Sequence, residues 1–422
     1  MEEVVDEAFF EGESSVKKSE VEKSSESRNN AFSMRVVGSV AKYVEPVSGE
    51  TSVEYLLNLF ETDKTLQALP VEENGIVCGI IERKSIEQAS SSAVKRFLAK
   101  DCRKYTQRVV HTLNVNDYIE KEIQTISAIY ASDGIKYFPV FEKKSFFGLV
   151  SLDDLTKRTT ELQNQDLEKA NTIQQNLLPK KEEIDSMPYV VNMWNCMANT
   201  VSGDFYVAKQ FGKSKSIFAC FDVSGKNVSA ALLTIAVGSF FKMLEILGVE
   251  SLTPVKTTSL LDTYLAKTVP VGSFITGVIA YVDYEIRKIE IHNCGHTEVL
   301  AFVEKDRDGK KFLGGLTIKP GLTPLGMETV KAELKTPDLV KSGKISIVPI
   351  IPDLQINMYS DGLLDMQDKD GNRFDKENVT KFFKALFTKS SNEFRTLASQ
   401  TVDDWVKDTP LADDITIMNV RF

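Results

Sequence analysis

Histidine and cysteine are scarce in this chain, at 3 and 5 of 422 residues. Cys78, Cys102, Cys196, Cys220 and Cys294 are scattered, odd in number and form no C-x-x-C pair. That pattern excludes a disulfide framework and a cysteine-rich zinc site, and it suits a reducing compartment, the cytoplasm. With so few imidazoles, no third nitrogen stands ready to join His292 and His296 around a metal. Positive charge is not in excess either: 51 Lys and Arg against 60 Asp and Glu give a net charge of −9. Neither a nucleic acid nor an anionic membrane is then the expected partner. The opening residues are acidic and serine-rich rather than basic then apolar, so they do not read as a signal peptide. The longest apolar run, Ala230–Val249, is interrupted by Ser239, Lys242 and Glu245. It reads as a core helix rather than a membrane span.

What is present is material for about three domains of ~150 residues. Residues 1–33 lack hydrophobic periodicity and read as a disordered acidic tail. From residue 34 to 156 the pattern repeats once. Each unit has a helix-like stretch (SVEYLLNLFET, then VNDYIEKEIQTISAIYAS), two short strands split by a turn, and a closing helix. Such repetition predicts a pseudo-symmetric pair sharing a core. The segment Tyr137-Phe138-Pro139-Val140 followed by Gly148–Asp154 resembles the closing signature of a CBS module, so 34–156 resembles a tandem CBS sensor.

Leu155–Leu178 has no Gly or Pro and is rich in Gln, Glu, Lys and Leu, which predicts a linker helix stopped by Pro179 (linker 157–180). A paired helix of this kind, beside the repeat pair, makes a two-fold homodimer the expected assembly. From 181 to 422 strand-like and helix-like segments alternate, strands in excess. An α/β layered sandwich is the expected architecture.

In this half four segments place aspartate at the end of a strand: Ser202-Gly203-Asp204, Phe221-Asp222-Val223-Ser224-Gly225, Tyr359-Ser360-Asp361-Gly362 and Ala412-Asp413-Asp414-Ile415. Each alone reads more readily as a turn, since Asp-Gly favours turns. If all four lie at strand ends, they converge on one rim of a sheet. Carboxylates gathered there cannot all ionise without a counter-charge. Hard divalent cations, Mg2+ or Mn2+, are the natural counter-charge for an all-oxygen set.

In order, these segments resemble the protein phosphatase 2C superfamily, and within it the bacterial SpoIIE/RsbU-type serine phosphatases. The motifs Ala170–Pro179 (ANTIQQNLLP), Phe221–Leu233, Cys294-Gly295-His296 and Thr323–Gly326 belong to the same resemblance, which spans about 250 residues. It implies a four-layer αββα sandwich: two antiparallel sheets flanked by helices. It implies two metal ions, with Asp222 bridging, Asp204 and the Val223 carbonyl on one ion, and Asp361 and Asp413 on the other. Asp414 is the less favoured member of its pair. It implies hydrolysis of phosphoserine or phosphothreonine on a partner protein, typically an anti-sigma-factor antagonist. Two departures stand out: Ser202 replaces the first glycine of Gly-Gly-Asp, and Asn227 the second glycine of Ser-Gly-Lys-Gly. His296 reads as a structural turn residue. In the CBS resemblance, Ser151 and Asp154 stand where an adenine nucleotide is held. Glu82 and Ser85 fill the matching positions of the first repeat, and Glu82 would repel a phosphate.

Cys102–Arg108 has the C-x5-R spacing of cysteine phosphatases but no glycine to form a phosphate cradle. A non-catalytic, nucleotide-sensing scaffold would have no need of four clustered carboxylates.

Overall fold

The computed structural model describes residues 32–89, 101–212, 214–225, 227–248, 253–307, 310–407 and 409–422. The expected acidic tail lies almost entirely outside the described residues. The chain forms two compact units that divide between Gln165 and Asp166.

The first unit contains the repeat. In each half a two-residue strand (Val47–Ser48; Leu113–Asn114) pairs in parallel with the first strand of a hairpin (Ala68–Glu73; Tyr137–Glu142). An α-helix, Val53–Thr62 or Ile119–Asp133, supplies the crossover. The hairpins close on Ile76–Glu82 and Ser145–Ser151, and both carry a register shift directly after the valine that follows proline, at Val71/Glu72 and Val140/Phe141. The repeat therefore extends to the bulge, which Pro70 and Pro139 accompany because proline cannot donate to a ladder. Leu56, Phe60 and Ile81 centre one core, and Ile119, Phe138 and Val150 the other. Ala68, Ile80 and Leu149 join them.

The linker helix runs Leu152–Leu177 and starts three residues earlier than its composition suggests. The cause is local. The Ser151 hydroxyl accepts from the Asp154 N–H at 3.0 Å, and the Asp154 carboxylate accepts from the Ser151 N–H at 3.2 Å, a reciprocal cap that nucleates the first turn.

The second unit is a four-layer sandwich. One five-stranded antiparallel sheet has the order Ser346–Pro349, Lys288–Cys294, Ile275–Asp283, Lys215–Val223, Asp204–Phe211. The other has the order Lys310–Ile318, Val299–Arg307, Gln355–Tyr359, Ile415–Arg421, Val190–Cys196. Strand alternation sorts the side chains into layers. Phe218, Cys220, Val278 and Ala280 face Ile356, Met358 and Met418 between the sheets. Phe221 and Ile279 face the helices Asn227–Ile246 and Pro254–Thr268 through Val237 and Leu261. Tyr359 and Ile417 face Asp375–Ala385 and Ser391–Val406 through Phe383 and Phe394. Both faces of each central strand are buried, which is why IFACF reads as an unbroken apolar run. Loss of one such ring, Phe221→Ala for example, would cost about 3–5 kcal/mol. The helix Asn227–Ile246 is long and apolar enough to cross a membrane by length and composition, and half of it is buried in the unit.

Candidate metal centre

The strand reading of the four aspartates needs one correction. Asp222 is the penultimate residue of its strand and Asp361 follows Tyr359 by two positions, whereas Asp204 opens its strand and Asp413 precedes one. Antiparallel pairing still brings starts and ends to the same rim. Asp204 and Asp222 are direct partners in the register, and Thr276 continues the row on the next strand.

The second sheet brings Asp361 and Asp413 to this rim through a close backbone approach. A Cβ on Gly362 would stand 2.1 Å from the Asp414 carbonyl oxygen, so only glycine lets the turn after Asp361 meet the Asp413–Asp414 loop. The contact is stitched by Ser360, whose N–H donates to Thr416 and whose hydroxyl accepts from the Thr416 N–H at 2.8 Å. Gly225, at φ +117°, sits in the conformation that favours glycine, between Asp222 and the helix that opens at Asn227. Lys226 lies outside the described residues.

Asp414 is spent on structure. One carboxylate oxygen accepts from the Ala198 N–H at 2.7 Å; the other accepts from the Gly203 N–H at 2.7 Å and the Ser202 hydroxyl at 3.0 Å. Asp414 thus anchors the loop that carries Asp204. Ser202, the departure from Gly-Gly-Asp, is buried and gainfully placed: its hydroxyl also accepts from the Asp204 N–H at 3.0 Å. The sequence offered no signal for these two roles beyond the residue types. Nor did it single out Gln174, whose buried amide bonds Ser202 and Thr234.

The electrostatics of the rim are those of crowded anions. Burial, and then the charges of Asp361, Asp413 and Asp414, push the Asp222 carboxyl up to about 7. Burial, and then Asp413 and Asp365, raise Asp361. Asp204 is raised well above the carboxylate range by burial, with Asp222 adding to the shift and the hydroxyls of Ser360 and Thr416 opposing it. Its Oδ2 is buried without a hydrogen-bond partner among the described residues. The Val223 carbonyl lies beside Gly203, whose carbonyl in turn accepts from the Val223 N–H at 3.2 Å.

An orphaned buried carboxylate oxygen, mutual repulsion and an all-oxygen donor set fit hard divalent cations. Among the described residues, however, no three Asp, Glu, His or Cys side chains are already gathered into one coordination sphere. The aspartates share a rim and still have to draw together around an ion.

Neither histidine of this unit belongs to the donor set. Burial lowers His296 to about 4, and its Nδ1 bonds the Thr276 hydroxyl at 3.1 Å. His292 is tied between Thr258 at 2.8 Å and Glu290 at 3.0 Å. Cys102 of the C-x5-R spacing is buried in the first unit. Its Sγ lies 3.4 Å from the Gly49 carbonyl, and burial raises its thiol, the opposite of an activated nucleophile. Ser151 and Asp154 are together, at 2.5 Å between hydroxyl and carboxylate, and Asp154 pairs with Lys42 at 2.7 Å.

Residues 213–422 match the family model of Stage II sporulation protein E, and residues 37–92 that of the CBS domain. No curated protein matches the chain in sequence. Among solved structures, the PP2C domain of SiaA from Pseudomonas aeruginosa is similar at 19% identity and a TM-score of 0.51, over 63% of this chain and 98% of that one. The RsbU and RsbW domains of a Mycobacterium tuberculosis protein share 19% identity at a TM-score of 0.41, over 55% and 61% of the two chains. The PP2C domain of Bacillus subtilis SpoIIE with a fragment of its regulatory domain shares 16% at 0.40, over 56% and 64%. The carboxy-terminal unit thus has a PP2C-type fold. Within that class it is a SpoIIE domain, and it follows a CBS domain in the same chain. Asp222, Asp361 and Asp413 fall inside the matched span, and Asp204 precedes it.

Proposed function

We propose that this protein is a divalent-cation-dependent phosphatase that removes phosphate from serine or threonine of a partner protein. The observation that carries the reading is the convergence of Asp204, Asp222, Asp361 and Asp413 from two sheets onto one rim, where their charges oppose one another. Two ions, Mn2+ or Mg2+, would be held by Asp222 between them, by Asp204 and the Val223 carbonyl on one side, and by Asp361 and Asp413 on the other. When bound, the ions would supply Lewis-acid stabilisation of the phosphoryl oxygens and an activated water at neutral pH. The chain's own part is to hold the carboxylates aimed at the rim. Asp414 and Ser202 fix the Asp204 loop, Gly362 sets the Asp361 loop against the Asp413 loop, and His296, kept neutral, braces Thr276 beside Asp222.

The substrate we infer is a phosphorylated anti-sigma-factor antagonist, the class implied by the SpoIIE/RsbU resemblance. We further propose an adenine nucleotide in the CBS pair around Ser151 and Asp154, a homodimer whose contacts include the helix Leu152–Leu177, and a cytoplasmic location in keeping with five free cysteines. Exposed Ile173 offers that helix an apolar contact. Light scattering that returns a monomer at tens of micromolar would refute the dimer.

The test of the activity is hydrolysis of p-nitrophenyl phosphate with added Mn2+. Wild type is expected to be active only with the metal, and Asp222→Asn inactive under all conditions. Activity that survives both EDTA and Asp222→Asn would sink the proposal. Asp361→Asn, used as a trap in a pull-down, should retain the phosphorylated partner.

A further inference from the structure

We propose that the carboxy-terminal unit binds a small zwitterion with an apolar body, an α-amino acid of leucine or phenylalanine size, in a cavity at the end of the sheet remote from the carboxylate rim. The proposal stands apart from the metal-centre reading.

The strand Lys215–Val223 reaches the rim with Asp222 and begins seven residues earlier at Lys215, about 23 Å away at ~3.3 Å per residue. At that far end lies a cavity of about 210 Å3. It opens on the helix-facing side of the sheet, where Ile217, Tyr281 and Leu244 belong to the same apolar layer. Ile217 and Tyr281 line it from the strands, Leu244 and Pro254 from the helices Asn227–Ile246 and Pro254–Thr268. A cavity of ~150 Å3 already holds benzene. The space therefore takes one phenyl or branched aliphatic group with a few atoms more. It falls short of the ~300–1,000 Å3 of pockets for drug-sized ligands.

The charges on the lining select the class of ligand. Lys215, Lys288, Asp283 and Glu290 line the cavity, two of each sign, so its formal charge is zero. Glu290 is settled: one oxygen pairs with His292 Nε2 at 3.0 Å and the other with Lys288 Nζ at 2.9 Å. Behind it the Tyr281 hydroxyl and His292 Nδ1 both pair with the Thr258 hydroxyl at 2.8 Å. An apolar group entering the cavity thus meets no unsatisfied polar atom of this chain of bonds. Lys215 and Asp283 are different. They stand directly opposite each other in the antiparallel register, where opposite charges gain by pairing. Neither has an ion-pair partner among the described residues. One Asp283 oxygen accepts from the N–H groups of Glu285 and Ile286 at 3.2 and 3.3 Å, which leaves the other for a ligand. A simple anion drawn to Lys215 would meet Asp283, and a simple cation drawn to Asp283 would meet Lys215. A ligand that brings both charges satisfies both residues: its carboxylate on Lys215, its ammonium on Asp283, across a strand spacing of about 4.8 Å. An α-amino acid carries the two groups on one carbon, and its side chain then points inward to Ile217, Tyr281 and Leu244.

Calorimetry on the full chain with L-leucine and L-phenylalanine should show saturable binding of at least one of them, at one site per chain. For the amino acid that binds, the des-amino acid lacks the ammonium and the amide lacks the carboxylate charge. Each loses a charge-assisted bond and should bind about tenfold more weakly or worse. Lys215→Met should make the acid and its amide bind alike. Asp283→Asn, which keeps an acceptor for the two turn N–H groups, should make the acid and its des-amino form bind alike. Leu244→Trp fills the cavity and should abolish the heat. Silence from both amino acids on wild type overturns the proposal. So does binding that Lys215→Met and Asp283→Asn leave unchanged, or a des-amino acid that binds as tightly as its parent. Should Leu244→Trp fail to fold, Lys215→Met decides, because Lys215 is exposed and its loss breaks no ion pair. None of these titrations reads metal binding or hydrolysis, so a failure of the metal centre would leave their outcome untouched.

Discussion

Asp204 and Asp222 stand directly opposite each other in the antiparallel register, the first residue of one strand against the penultimate residue of the next. Like charges directly across a strand pair destabilise it. Here Asp204 is also buried, and Asp222 faces the charges of Asp361 and Asp413. Without a cation the rim works against the fold. Asp222→Asn, which removes the charge and keeps the shape, is therefore expected to stabilise the metal-free protein while abolishing hydrolysis. A gain of about 1 kcal/mol would raise the melting temperature of the carboxy-terminal unit by roughly 2–4 °C. A lower melting temperature for the variant in EDTA would show that the charge is already compensated within the chain.

The same repulsion fixes the sign of a pH effect. Asp222 titrates near 7 in the fold and near 3.9 unfolded, so between these values the folded state binds more protons. Its contribution is fully present below the unfolded value and is lost as pH rises through about 7. Asp361 and Asp204 are shifted in the same direction. A bound divalent ion reverses the preference, because it favours the ionised carboxylates. The thermal stabilisation produced by saturating Mn2+ should accordingly be larger at pH 8 than at pH 5.5. Differential scanning fluorimetry with and without EDTA at the two pH values measures it. Equal stabilisation at both would contradict a carboxylate-only site.

Cys102→Ser should leave phosphatase activity within about twofold of wild type, since no activated thiolate exists at that position. The thiol is buried against the Ser48 and Gly49 carbonyls, whereas Cys78 is exposed. Iodoacetamide should label Cys78 first with no loss of turnover. Inactivation that tracks alkylation of Cys102 would revive the cysteine mechanism.

The elements that periodicity made legible are those with a single dominant pattern. Lys215–Val223 is an apolar run, and Ser391–Val406 a capped amphipathic helix whose Ser390 and Glu393 form a capping box. Val190–Cys196 was not legible, because Asn192 and Asn195 interrupt the pattern. In the fold Asn192 joins a buried ladder across three strands, donating to Asn419 at 3.1 Å, which donates to Asn357 at 2.7 Å, so its amide N–H is paired, while its Oδ1 has no hydrogen-bond partner among the described residues. Lys310–Ile318 is hidden in the sequence by Gly314-Gly315, because glycine weakens a strand's apolar pattern. The structure instead uses Gly315 to seat the Phe302 ring, 3.1 Å from where a Cβ would stand. The four aspartates were visible as residue types beside glycine, and their order carried the family resemblance. What lay beyond the sequence was partnership across 28 and 212 positions: Gln174 with Ser202, and Ser202 with Asp414. No local pattern encodes such contacts.

The CBS pair supports one last expectation, that it holds a single adenine nucleotide per chain. The register makes the two half-sites comparable: Ser151 lies opposite Tyr137 as Glu82 lies opposite Ala68. Ser151 offers a hydroxyl and Asp154 a carboxylate that can accept both hydroxyls of a ribose. Glu82 offers a carboxylate instead, with a buried Oε1 that has no partner among the described residues, and burial raises its pKa. A phosphate is poorly received there. Between the repeats lies a cleft lined by Ile80, Arg108, His111 and Tyr137, with about 10 Å3 of free volume, room for at most one water. A nucleotide has to widen it and to draw Asp154 partly away from Lys42. Calorimetry with AMP, ADP and ATP should therefore give one site per chain on wild type. Asp154→Ala should abolish the heat. Because Asp154 also caps the helix, that variant should lose about 1 kcal/mol of stability with no nucleotide present, so the titration belongs well below its melting temperature. Lys42→Ala separates the two roles: it frees the carboxylate without touching the cap, and binding should tighten. Silence from all three nucleotides, or equal binding by Asp154→Ala, would leave the repeat pair as a dimerisation platform.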